Sequence, residues 1–170
     1  MTTAEIFARL KAHALEGLVF HDEMVRFYDF LALDGYKKCH KHHYEEESQS
    51  YRKLCSYYME HFNRLIPNVP MERPDVIPDT WYNYSRHDVD PGTKASAVKT
   101  GMEKWVEWEK KTKQLYEEMC EELLSLAEIA AADFIMGFIQ DVDHELKFAT
   151  TKHLILESAG YDMKFILSEQ

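Results

Sequence analysis

The sequence predicts an all-α fold: a four-helix bundle with one long crossover between the second and third helices and a short C-terminal tail or helix. Three observations predict it. Apolar residues recur at steps of three and four through four separate segments, which is the period of a helix face. Glycine and proline are scarce, 6 and 5 in 170 residues, and the prolines cluster. Two long proline-free stretches remain, and both suit helices. All five prolines lie in residues 67–95 with Trp81, Tyr82 and Tyr84, so that segment reads as ordered chain packed on the bundle.

Thr2 and Glu5 have capping-box spacing and open the first helix, predicted over 3–33. Its inner stripe is Ile6, Leu10, His13, Gly17, Phe20, Met24, Phe27 and Leu31. Asp34-Gly35 reads as the turn that ends it. The second helix is predicted over 36–65, with the stripe Tyr36, His40, His43, Glu47, Ser50, Leu54, Tyr57 and His61. The crossover, 67–95, is long enough to run the length of a helix. The third helix, 96–124, carries Met102, Trp105, Glu109, Thr112, Tyr116, Met119 and Leu123. Ser125 and Glu128 have a second capping-box spacing, which places a short turn there. The fourth helix, 126–158, carries Phe134, Phe138, Asp141, Glu145 and Phe148. Gly160 suits a helix stop, and residues 160–170 form the tail. A length of 170 residues suits one domain.

The net charge of −10 argues against nonspecific binding to nucleic acid or to an anionic membrane. No apolar run reaches membrane-spanning length. Cys39, Cys55 and Cys120 are odd in number and lack CxxC spacing, which fits a reducing compartment. The start "MTTAEIFARL" is charged and periodic, unlike a signal peptide, so a cytoplasmic protein is expected. There is no Gly-rich phosphate loop, zinc-type Cys/His spacing or nucleophile elbow.

The chemistry concentrates in "GYKKCHKHHYEEESQSYRKL", residues 35–54. On helical spacing His43, Glu47 and Ser50 share the inward face, whereas His42, Glu45 and Glu46 mostly do not. This segment resembles the second-helix motif of ferritins, in which a ligand Glu is followed three positions later by a ligand His. "EWEKKTKQLYEEMCEELLSLA", residues 107–127, is similar to their third helix, and "DFIMGFIQDVDHE", residues 133–145, to the start of their fourth. The segment from Trp81 onward resembles their crossover. The resemblance runs in order over most of the chain and implies a ferritin-like four-helix bundle. One long crossover is the connectivity of that class.

The resemblance also implies an iron site between the helices. Glu47 takes the place of the second-helix ligand and Glu109 that of the third. Ser50 stands where the family has its histidine, and a hydroxyl is a poor iron ligand. His43, one turn before Glu47 on the same face, is the substitute. Asp141 with His144 forms a shortened Glu-x-x-His pair, and Glu145 lies on the same face. The ungapped family register places Asp143 and Leu146 there instead. Glu23 is the first-helix candidate, near the "YDFLAL" run, with Glu16 as the alternate; His21 points to another side of that helix. The expected metal set is therefore Glu23, His43, Glu47, Glu109, Asp141, His144 and Glu145. Its expected partners are metal ions and further copies of the chain.

Three readings stay open. The first is Fe(II) oxidation by oxygen at a di-iron site and iron storage. The second is an oligomeric scaffold or interaction module whose metal site has decayed. The third is binding of another cation, Zn or Mn, through His43 and His144.

Overall fold

The computed structural model describes residues 1–170. Five helices follow in order: α1 (Thr3–Phe30), α2 (Asp34–Phe62), α3 (Pro91–Ser125), α4 (Ile129–Ser158) and the short α5 (Met163–Ser168). There are no strands, and the four long helices form the bundle. No helix is long and apolar enough to cross a membrane.

Local chemistry sets the helix ends. Thr2 and Glu5 form the capping box, with the Glu5 N–H donating to Thr2 Oγ1 at 3.2 Å and the Thr2 N–H donating to Glu5 Oε2 at 2.7 Å. The first helix stops at Phe30 rather than residue 33, because Ala32 takes a left-handed conformation (φ 57). Asp34-Gly35 is not the turn. Asp34 opens α2, where its charge favours the helix N-terminus. Gly35 is needed for another reason: a Cβ there would lie 2.7 Å from Gln170 Cα. Asn63, left-handed at φ 54, ends the second helix at Phe62. The third helix starts earlier than predicted, with Pro91 as its first residue and Asp90 as its cap. A proline is tolerated at that position, having no N–H to lose. Ser125 and Glu128 form no capping box; the Ser125 hydroxyl donates to Glu122 O, and α4 begins only at Ile129.

The short α1–α2 and α3–α4 links force antiparallel neighbours. Residues 63–90 cross between the two pairs with two turns of 3-10 helix, Asp79–Asn83 and Arg86–Asp88. Lys104 Nζ donates to Asp75 O and Val76 O, and Arg86 donates to Asp29 O, so the crossover is fastened to α1 and α3. Helices α1 and α3 approach closely at Gly101, where a Cβ would meet Tyr28 Oη at 2.5 Å.

The core is two apolar clusters. One holds Met24, Tyr28, Leu31, Met102, Trp105, Leu156 and Ile166. The other, at the far end, holds Ile6, Phe7, Leu10, Leu54, Met119, Leu123 and Ile135. On α4 the buried face is Ala131, Ile135, Phe138, Val142 and Ala149, whereas Asp141 and Phe148 are exposed. The expected stripe on that helix is therefore partly rotated. Between the clusters lies a layer of polar side chains.

Candidate metal centre

The polar layer draws on all four long helices. From α1 come His13 and His21, from α2 His40, His43 and Glu47, from α3 Glu109 and Thr112, and from α4 Glu145. Glu109 is fully buried, as is His21, and His43 is 7% exposed. Burying a carboxylate in a helical stripe bounded by Trp105 and Tyr116 is costly unless something compensates its charge.

Glu109 has one fixed oxygen and one open one. The Trp105 indole N–H donates to Oε1 at 3.1 Å, whereas Oε2 has no hydrogen-bond partner. Burial raises the Glu109 pKa, and the charge of nearby Glu47 raises it further. Glu145 is raised too, by burial and by Glu109, Glu47 and Glu46. Glu47 is pushed up to about 7, first by burial and then by Glu46. No lysine or arginine pairs with Glu47, Glu109 or Glu145. Tyr116 faces all three carboxylates, and burial with their charge keeps its phenol neutral. Three acidic groups from three helices thus hold a shortage of positive charge.

A histidine group adjoins them. His21 Nδ1 and His40 Nδ1 lie 3.0 Å apart, one donating to the other. His21 Nε2 lies 3.8 Å from Glu109 Oε1 and makes no hydrogen bond. The His43 ring stacks on His21 with centroids 5.4 Å apart. Burial and the neighbouring imidazoles lower the pKa of His21, and that of His40 falls to about 3, so these rings are neutral. His43 Nδ1 is unpartnered, 3.4 Å from Glu46 and 4.0 Å from Glu145. Ligand atoms of His43, Glu46 and Glu145 all lie within 4.8 Å of one another. His13 has a structural role: Thr112 Oγ1 donates to Trp108 O, so the 2.7 Å contact makes His13 Nε2 the donor to Thr112.

The structure brings together four of the expected residues, His43, Glu47, Glu109 and Glu145. It does not bring in Glu23, which pairs with Arg73 of the crossover. The α1 residue that faces Glu47 is Gly17, where a Cβ would sit 3.4 Å from Glu47 Oε2. Helix α1 therefore offers no carboxylate to the layer at that point. Glu16, the alternate, accepts from the Glu72 N–H instead. Asp141 and His144 are exposed and line an outer cleft of about 310 Å3 with Glu46, Gln49, Ser50, Lys53 and Glu145. Asp143 is tied to Lys113 and Lys147. Ser50 also borders a nearly filled cavity of about 10 Å3, lined by Leu10, Ala14, Leu54, Tyr116, Ile135 and Phe138. Sequence reasoning left out His21 and Glu46, and placed His40 on the inner stripe but not in the metal set. For His21 the available signal was its place beside Phe20, because a helix packed on two flanks buries adjacent stripes.

The donor set fits a cation in part. Glu47, Glu109 and Glu145 supply hard oxygens, one of them unpartnered. The half that the resemblance builds from Ser50 and a first-helix Glu does not fit, since its walls are Gly17, Ser50 and apolar side chains.

Neither a family sequence model nor a curated protein sequence matches the chain. Solved structures do. A humanized archaeal ferritin matches at TM-score 0.79 and 17% identity, over 96% of this chain and 90% of that one. An open-pore ferritin from the hyperthermophilic archaeon Archaeoglobus fulgidus matches at TM-score 0.79 and 16% identity, over 98% and 93%. An iron-soaked variant of PmFTN matches at TM-score 0.73 and 12% identity, over 97% and 94%. At these identities the likeness is one of fold.

Proposed function

We propose that this chain, a four-helix bundle of ferritin-like fold, takes up Fe(II) between α2, α3 and α4 and presents it to dioxygen for oxidation to Fe(III). The observation that carries the reading is the meeting of fully buried Glu109 with half-buried Glu47 and Glu145, none of them paired with a lysine or arginine. Without a cation, burial drives these groups toward their neutral form, and a bound cation lets them ionise as ligands. Oxygen donors favour hard and borderline divalent cations. The neighbours of like fold include proteins named as ferritins and one soaked in iron, which favours iron among those cations.

Fe(II) is the substrate in this reading. Trp105 holds Glu109 Oε1, so Oε2 is free to take the ion. Glu47 and Glu145 release protons as the cation enters, because coordination requires the ionised form. An anionic oxygen set stabilises Fe(III) relative to Fe(II), which favours loss of one electron per iron to dioxygen. Gly17 and Ser50 leave the family's other half-site without ligands, so the buried set is written for a single iron. Exposed Ile129, Met136, Leu154 and Ile155 on α4 support assembly with further copies of the chain.

The test starts from metal-free protein, titrated anaerobically with Fe(II) and then exposed to oxygen, with ferric absorbance followed over time. Oxidation faster than in buffer, with one equivalent of it lost in Glu109→Gln, supports the reading. Oxidation equal to buffer in both proteins leaves the second reading, a ferritin-like scaffold without a metal centre, which Gly17 and Ser50 favour.

A further inference from the structure

We infer that the chain carries a second cation subsite, one to two helical turns before Ser50 on α2, built from His43 Nδ1, Glu46 and Glu145. It rests on the reading of the buried carboxylates as an iron site, with which it shares Glu145. Its role is to supply the nitrogen donor that Ser50 does not.

Four observations carry it. First, His43 is 7% exposed and its Nδ1 has no hydrogen-bond partner. A buried ring nitrogen left without a partner keeps an unmet desolvation penalty, and a cation removes it. Second, that nitrogen faces two carboxylates, Glu46 at 3.4 Å and Glu145 at 4.0 Å, and the three ligand atoms lie within 4.8 Å of one another. The Glu46 side chain is 45% exposed, so its rotation can close the remaining distance. Third, Glu46, Glu145 and the outer cleft give the subsite a route to solvent that fully buried Glu109 lacks. Fourth, the alternative place for a second ion is closed. Gly17 and Ser50 present no ligand, and the cavity beside Ser50 is nearly filled by apolar side chains.

The geometry amounts to an inverted order on α2. Where the family resemblance expects Glu followed three residues later by His, this chain has His43 followed three residues later by Glu46. Residues i and i+3 share a helix face in either order, so both can reach one ion. One imidazole and two carboxylates suit a borderline divalent cation such as Fe(II), Co(II) or Zn(II).

Co(II) tests this without redox chemistry, by equilibrium dialysis and visible absorption on the full chain. The wild type should bind two equivalents. Glu46→Gln and His43→Gln should each keep the first and weaken the second at least tenfold, with His43→Gln losing the band change of nitrogen ligation. Glu109→Gln should lose the first. Glu46 is surface-accessible, so its variant decides the matter even if His43→Gln fails to fold. A second equivalent that is absent, or unmoved by Glu46→Gln, overturns the subsite while the Glu109-dependent first equivalent leaves the buried iron site standing. Failure of the wild type to bind any Co(II) overturns both.

Discussion

Two neighbouring parts of the bundle interior, about two helical turns apart on α2, have opposite chemistry. On the inward side of Ser50 the walls are Leu10, Ala14, Leu54, Ile135 and Phe138, and the cavity is nearly filled, while its outward side borders the polar cleft. Beside His43 the neighbours are Glu46, Glu145 and the rings of His21 and Trp105, with three unpartnered buried atoms, His21 Nε2, His43 Nδ1 and Glu109 Oε2. The first region has spent its capacity on packing. The second holds polar groups that the protein itself does not satisfy. A fold can thus keep its helices and crossover while its polar layer shifts along one helix. Place in the fold alone therefore does not locate the chemistry.

The sharpest way to break this contrast is Glu109→Gln. It should bring Fe(II) oxidation down to the buffer rate and weaken cation binding by on the order of 100-fold, because ligation needs the ionised carboxylate. The same variant should stabilise the metal-free protein at pH 9, above the Glu109 folded pKa of about 8, where a neutral amide avoids the cost of burying charge. Calorimetry on both forms checks the two effects together.

Leu54→Ala probes the other side. Leu54 is buried beside Ser50, and its truncation should cost about 2–5 kcal/mol by loss of burial and creation of a cavity. Cation affinity should stay the same. A denaturant titration paired with metal binding measures both, and a matching loss of affinity would show that the two regions are not independent.

A pH series tests the polar side without mutation. Glu47 has a folded pKa raised to about 7, and Glu109 and Glu145 are raised by burial and by one another. For carboxyls raised in the folded state, the native protein binds more protons than the unfolded chain between the two pKa values. Their contribution to stability is therefore full below the ordinary carboxylate range and is lost as pH rises through the folded values. The metal-free melting temperature should fall by roughly 5 °C from about pH 5 to about pH 8. Saturating Co(II) should remove most of that fall. A flat profile would mean the carboxylates are already compensated.

The smallest expected effect is that of Asp141→Asn. Asp141 is exposed on the outer cleft, so cation affinity should change by no more than about fivefold. A larger loss would move the binding region outward, to the Asp141 and His144 positions that the sequence pattern favours.

Much of this was legible beforehand, residue by residue. The stripe on α2 put His40, His43 and Glu47 inward, and that on α3 did the same for Trp105 and Glu109, because each of those helices presents a periodic face to the bundle. Other readings failed for identifiable reasons. Glu23 was expected at the centre, but Arg73 reaches it from a crossover whose path leaves no periodic trace in the sequence. His21 was assigned to another side of α1. That helix packs against both α2 and α3, so two adjacent stripes are buried, Phe20 and His21 among them. Glu46 looked solvated, and only the position of α4 brings Glu145 to the same His43 nitrogen.

By itself the sequence determined the all-α class, the four helical segments and the long crossover, together with the polar interruption in the inner stripes. These follow from local periodicity, capping and proline placement, all of which act within a few residues. The tertiary structure alone decided which polar groups meet. It set Gly17 against Glu47, His21 against Glu109, and Glu145 against His43, because such pairings depend on the rotation and offset of one helix against another, which no single segment encodes.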